Sequence, residues 1–171
     1  MSKRVVLYIG SMDRSGSTIL SNLLGQIPGF FTVGELNNIY DLGMRDNWLC
    51  GCGKDFSNCA IWSAVTDRVV AKLGTERVRL APDELVNVRK WRHLIPLFVS
   101  ARLIGSDNPL IKEYGQLFAE VYEAIFETTE AKVIVDSSKV PLHLAIIGAQ
   151  QRDWDLKLVH LVRDSRAVAF S

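Results

Sequence analysis

Hydrophobic and polar positions along the chain follow two rhythms. Residues 5–9 (Val-Val-Leu-Tyr-Ile) form an unbroken apolar, largely β-branched run that stops at Gly10, as expected of a strand buried on both faces. Ile19, Leu20, Leu23, Leu24 and Ile27 then recur at helical spacing, so a strand, a glycine-containing loop and a helix follow one another directly. Pro28 and Gly29 break the pattern, residues 30–33 suit a short second strand, and a short helical or irregular piece leads to Gly43. From Ile61 the spacing is helical again, with Trp62, Val65, Val69 and Leu73 on one face. After a turn at Gly74 and Thr75, Pro82, Asp83 and Glu84 read as the first turn of another helix, which Pro96 kinks or ends. Asn108 and Pro109 open the clearest amphipathic helix, whose stripe of Tyr114, Phe118, Val121, Tyr122, Ile125 and Phe126 reads as core packing. Residues 132–135 form a strand ending at Asp136, Pro141 starts a helix through Gly148, residues 156–162 form a further strand, and residues 167–171 begin a helix.

Strands alternating with helices predict one α/β domain over residues 1–171 with a mostly parallel sheet flanked by helices, carrying a helical insert over about 61–130. In such sheets ligands bind beyond the carboxyl ends of the strands. The loop 10–18 and the segments 136–139 and 163–166 all fall at that edge.

Composition narrows the partners. With 171 residues, 48% of them hydrophobic, the chain can build one real core but not two. Twenty basic residues against nineteen acidic ones leave a formal charge of +1, so no global field draws it to nucleic acid or to an anionic membrane. No apolar run reaches the roughly 18 residues of a membrane span, and the start of the chain has no signal-peptide core, so a cytoplasmic protein is expected. The run Arg89, Lys90, Arg92, His93 and Arg102 reads as a solvated helix face rather than a site for an acidic acceptor. Cys50, Cys52 and Cys59 lie within one short loop, CGCGKDFSNC. Their odd number argues against a disulfide framework, and a zinc site would need a fourth ligand, while His93, His143 and His160 are all distant in sequence. Buried thiols in a glycine-rich turn are the first expectation, with a metal or redox pair as the alternative.

The chemistry concentrates in Arg14-Ser15-Gly16-Ser17-Thr18. In a strand–loop–helix turn the loop N–H groups and the helix N-terminus converge on one point with positive partial charge, where a phosphate or sulfate sits well. Capping of the helix would account for one hydroxyl, not for three hydroxyls, a glycine and an arginine in five residues. A nucleoside-triphosphate loop would place lysine directly after the second glycine and Ser or Thr after that, with 133–136 as the magnesium-side strand. Here Ser17 follows Gly16 and the cation, Arg14, precedes it, so the kinase or NTPase alternative loses its two most specific parts.

Gly10-Ser11-Met12-Asp13-Arg14-Ser15-Gly16-Ser17-Thr18 resembles the 5′-phosphosulfate loop of sulfotransferases that use 3′-phosphoadenosine 5′-phosphosulfate (PAPS). The segment Leu161-Val162-Arg163-Asp164-Ser165-Arg166-Ala167-Val168-Ala169-Phe170-Ser171 resembles their 3′-phosphate motif, an arginine at a strand end and a serine eight residues on. Asp136-Ser137-Ser138-Lys139 is similar to the segment after the next sheet strand in many bacterial members, and Cys59-Ala60-Ile61-Trp62 to a pattern in some of them. Carbohydrate and tyrosylprotein sulfotransferases often carry a Gly-Glu pair soon after the first helix, with the glutamate as base, and Gly34-Glu35 falls there.

The resemblance implies a P-loop-containing nucleotide-binding fold and transfer of a sulfonate from PAPS to a hydroxyl or amine of a small-molecule or carbohydrate acceptor, with no metal expected. Arg14 would stabilise the leaving phosphate, Ser15, Gly16, Ser17 and Thr18 would cradle it, Arg163 and Ser171 would bind the 3′-phosphate, and Glu35 would take the acceptor's proton. Lys139 is the weaker candidate for a second cation at the transition state. Arg166 is expected to be a solvated helix residue and His160 to lie within the sheet. Family members continue with further helices and sheet, so an incomplete enzyme is expected, with a non-catalytic nucleotide-binding fragment as the alternative.

Overall fold

A computed structural model describes residues 3–88, 109–150 and 152–169. Its framework is a four-stranded, all-parallel sheet built from β1 (Arg4–Ser11), β2 (Phe30–Gly34), β3 (Val133–Asp136) and β4 (Trp154–Leu161), in the order β2-β3-β1-β4. β1 is central: Val5 to Tyr8 pair with Val133 to Asp136 on one side, and Arg4 to Ser11 pair with Trp154 to Leu161 on the other. Within its apolar run Val6, Tyr8 and Ile9 are fully buried, while Val5 and Leu7 are partly buried. β2 pairs with β3 through a register shift between Thr32 and Gly34.

Helices flank the sheet. They are α1 (Ser17–Leu24), α2 (Ala60–Leu73), α3 (Thr75–Val88), α4 (Pro109–Thr129), α5 (Pro141–Gly148) and α6 (Ser165–Ala169). Between β2 and α2 the chain runs through a 3₁₀ turn (Leu36–Asn38), a π-helix (Ile39–Arg45) and a second 3₁₀ turn (Phe56–Asn58). The core forms where α4 lies on the face carrying Val6, Tyr8 and Ile134, and all six residues of its predicted stripe are buried there. Tyr122 stands 5.5 Å from the ring of Trp154, and Phe118 meets the His143 ring of α5 edge-on at 4.5 Å. Among the described residues no helix is long and apolar enough to cross a membrane.

One expectation needs correction. α3 begins at Thr75, and Pro82 lies inside it rather than at its start. Burial of Val78 and Ala81 in the core holds the helix together through the lost hydrogen bond. α1 forms where its spacing predicts, but Ser17 and Ser21 face inward while Ile19, Leu23 and Ile27 are exposed. The inward face carries a hydroxyl pair, Ser21 with Thr32 of β2, beside the partly buried Leu20 and Leu24. His160 lies within the sheet, as expected, on β4, where it is exposed. Arg166 is, as expected, a solvated residue, paired with Asp164 at 2.9 Å. Pro96, the basic run of Arg89, Lys90, Arg92, His93 and Arg102, and Ser171 lie outside the described residues.

Candidate functional site

The strand order sets the position of the site. From β1 the chain skips one place to β2, returns to β3, then crosses β1 to reach β4, so connections diverge on either side of β1. A crevice opens at such a switch, outside the carboxyl end of the strand. The loop 12–16 leaves β1 at that point.

The loop takes its shape from two left-handed residues, Arg14 (φ 59°) and Gly16 (φ 93°). Such a φ is unstrained only for glycine at position 16, whereas Arg14 is held there against its preference. Gly16 occupies the N-cap of α1, which has no side-chain cap and no acid in its first turn. The serines and the threonine are thus not spent on capping, and the first-turn N–H groups keep their positive end unneutralised. Ser15 and Ser17 are buried, and the hydroxyls of Ser11 and Ser15 are enclosed without a hydrogen-bond partner among the described residues. A buried hydroxyl without a partner costs about 1–3 kcal/mol, which is a reason to expect a polar ligand atom within its reach.

The other candidates gather around the loop. Arg163, at the end of β4, donates Nη1–H to the carbonyl oxygen of Arg14 at 2.7 Å, across 149 positions of sequence. Lys139 lies beyond β3 with a left-handed φ of 64°, its Nζ 2.8 Å from Glu35 and 3.4 Å from Asp13. Its ammonium is held above the usual lysine range chiefly by the hydrogen bond to Glu35, with the Glu35 and Asp13 charges adding to it. Glu35 also accepts from Asn38 Nδ2 at 3.3 Å. Arg163, Arg14, Asp13, Lys139 and Glu35 therefore form one line of successive neighbours. Ser171 cannot be placed on it, lying outside the described residues.

Two cavities flank the loop. One, of about 290 Å³, is lined by Met12, Ser15, His160, Leu161, Val162, Arg163, Ser165 and Val168. The other, of about 510 Å³, lies between α1, the end of β2 and the cysteine loop, with Thr18, Glu35, Ser137 and Trp62 in its walls.

A buried network beneath the site holds the ends of β2 and β3 together. Asp136 has no exposure, and its Oδ1 accepts from Ser138 N at 2.7 Å and from Ser138 Oγ at 2.5 Å. Its Oδ2 accepts from the Tyr122 hydroxyl and stands 3.7 Å from His143 Nε2. Tyr114 bonds the other ring nitrogen of His143 at 2.8 Å. Ser138 Oγ in turn accepts from the backbone N–H of Asn37 at 3.0 Å, and Ser137 N–H donates to Gly34 O at 2.8 Å. Glu35 and Lys139 are thereby carried on two segments bonded to each other. Sequence reasoning missed this network because Tyr122 and Tyr114 sit on a stripe that reads as purely apolar. It also missed Asp13 and Ser11, whose only signal is membership of the loop.

Matched against protein-family models, curated proteins and solved structures, the chain finds no counterpart in any of them.

Proposed function

We propose that this chain carries the donor-binding site of a PAPS-dependent sulfotransferase. The observation that carries the reading is the contact of Arg163 with the Arg14 carbonyl. The two segments that resemble the 5′-phosphosulfate and 3′-phosphate motifs are far apart in sequence, and a nucleotide bearing phosphates at both ends requires them side by side. In this reading the donor's sulfonate and 5′-phosphate lie against Ser15, Gly16, Ser17 and Thr18, and its 3′-phosphate lies toward Arg163. The cavity lined by Arg163 and Ser165 takes the nucleoside, and the cavity bounded by Thr18 and Glu35 takes the acceptor.

The chemistry balances with these groups. An acceptor hydroxyl or amine attacks sulfur with its lone pair, the sulfur–oxygen bond to the 5′-phosphate breaks, and adenosine 3′,5′-bisphosphate leaves with that electron pair. The acceptor's proton passes to Glu35. Charge grows on the bridging oxygen as the bond opens, and the N–H groups of the loop with the cations of Arg14 and Lys139 supply fixed positive potential there. The 2.8 Å contact between Lys139 and Glu35 suits both roles, since it orients the base and keeps the ammonium charged beside the reacting centre.

Isothermal titration with adenosine 3′,5′-bisphosphate, paired with a transfer assay from PAPS to sugar, phenol and amine acceptors, tests the reading. Binding is expected to weaken in Arg163→Ala. Arg14→Ala is expected to lower the transfer rate by about 10²- to 10³-fold, the usual effect of losing one such donor. Absence of binding would overturn the reading, and binding without transfer to any acceptor would favour a non-catalytic nucleotide-binding module.

A further inference from the structure

The cysteine loop plays no part in the chemistry above, yet its three sulfurs converge. The Sγ atoms of Cys50, Cys52 and Cys59 all lie within 4.8 Å of one another. They come together by construction of the backbone. Cys50 N–H donates to Lys54 O and Gly53 N–H to Cys50 O, both at 2.8 Å, and Gly53 has a φ of 82°, so a tight turn folds Cys52 back beside Cys50. Cys59 is the N-cap of α2 and is buried, and its sulfur joins the other two.

One backbone donor is aimed at the cluster. Cys52 N–H points at Cys50 Sγ at 3.5 Å. A disulfide would use only two of the three sulfurs. Sulfurs held on one zinc at about 2.3 Å stand about 3.8 Å apart, so closure on the ion needs a contraction of no more than about 1 Å.

We propose that Cys50, Cys52 and Cys59 bind a zinc(II) ion as three thiolates, with the fourth coordination position turned toward the cavity bounded by Glu35 and Thr18. Among the described residues no fourth His, Cys, Asp or Glu joins the cluster, and all three cysteines line that cavity. A water or an incoming ligand completes the tetrahedron. Each thiol gives up its proton to solvent as its sulfur–metal bond forms, and no electron is transferred. The ion ties the turn at 50–53 to the start of α2 and so fixes one wall of the cavity.

The test is a cobalt(II) titration of the full chain under reducing conditions, followed by displacement with zinc(II). One equivalent of cobalt should give a thiolate-to-metal charge-transfer band and the intense visible bands of a four-coordinate site, and zinc should abolish both. Cys52 is exposed, so Cys52→Ser should keep the fold by circular dichroism and lower metal affinity at least about 10-fold, a loss already typical of weaker perturbations around a metal. No such bands in the wild type, bands unchanged in Cys52→Ser, or a disulfide between two of the three with no metal uptake after reduction would each overturn the proposal. Adenosine 3′,5′-bisphosphate binding is measured on the same samples, so failure of the donor-site reading and failure of the zinc site are read out separately.

Discussion

Tyr122→Phe removes one oxygen from the centre of the buried network and changes nothing else in the packing of α4. Tyr122 and Asp136 both have no exposure, and the lost hydroxyl donates to Asp136 Oδ2 while standing 3.3 Å from His143 Nε2. Asp136 keeps its two bonds from Ser138 but loses the only hydroxyl bonded to its other oxygen among the described residues. A hydrogen bond to a charged group contributes about 1.5–3 kcal/mol, and the phenyl ring leaves little cavity. For a chain of this size, 1 kcal/mol corresponds to roughly 2–4 °C in Tm, so the variant should melt about 3–12 °C lower, with an unchanged urea m-value. The pH dependence supplies a second check. Burial, and then the Asp136 charge, raise the Tyr122 pKa well above its ordinary value. A raised pKa means that the folded state keeps its proton when the unfolded chain has lost it, so this contribution is intact below about pH 10 and is lost as pH rises beyond it. Tyr8 and Tyr40 are shifted the same way, mainly by burial. Wild-type stability should therefore fall above about pH 10, and less steeply in Tyr122→Phe. A stability loss under about 0.5 kcal/mol by urea denaturation, well short of a charged hydrogen bond, would refute the account of Asp136 as a charge held by this hydroxyl.

Further outcomes follow from the same geometry. Ser15→Ala removes an enclosed hydroxyl without a partner, so it should leave Tm unchanged or raised while weakening adenosine 3′,5′-bisphosphate binding by about 5-fold, near 1 kcal/mol; a lowered Tm would show that the hydroxyl is satisfied within the protein. Glu35→Gln should lower kcat and remove the acidic limb of the pH–rate profile, and survival of that limb would exclude Glu35 as the base. Lys139, its pKa raised chiefly by the hydrogen bond to Glu35, stays charged through its ordinary value of about 10.4. Its attraction to Glu35 is thus complete below that value and is lost as pH climbs through the higher folded-state pKa, and an alkaline limb at neutral pH that disappears in Lys139→Arg would contradict this. Gly43→Ala would set a Cβ 2.8 Å and 2.9 Å from two atoms of the Phe56 ring, which stacks on Trp62 at 5.1 Å; moving that pair should cost about 1–3 kcal/mol in urea unfolding, and no measurable cost would mean that the ring yields freely.

The elements were most legible where one periodic signal met one structural demand. Pro109 and the stripe from Tyr114 to Phe126 predict α4, and Pro141 and Gly148 bound α5 in the structure as they do in the sequence. Legibility failed where tertiary contacts outvoted local signals. Pro82 reads as a helix start, but Val78 and Ala81 on the buried side extend α3 backward to Thr75. The helical spacing places α1 but does not say which side turns inward, where Ser17 and Ser21 are buried and Ser21 meets Thr32 of β2. Arg14, Glu35, Lys139 and Arg163 were all legible as candidates because each follows a strand that the pattern locates. Their bonds to one another were not, since a hydrogen bond such as that from Arg163 to the Arg14 carbonyl leaves no trace in spacing.

What sequence reading could not supply is the order of those residues in space, and the order decides which of them can cooperate. In the chain they run Arg14, Glu35, Lys139, Arg163; along the sheet edge the strand order turns this into Glu35, Lys139, Arg14, Arg163. Neighbours in that row are the pairs that touch: Glu35 with Lys139, Lys139 with the Asp13 beside Arg14, and the Arg14 carbonyl with Arg163. Glu35 and Arg163 stand at opposite ends, with one cavity beyond each. In the proposed reading, a base at one end and a phosphate-binding arginine at the other suit a reaction whose acceptor and nucleoside must approach the loop from opposite sides, as an in-line displacement requires. The prediction specific to the row is an asymmetry: Arg163→Ala should weaken adenosine 3′,5′-bisphosphate binding and leave the acidic limb in place, whereas Glu35→Gln should do the reverse. Substitutions that each altered both measurements would mean that the two ends serve one ligand, and the division of the site into donor and acceptor halves would fall.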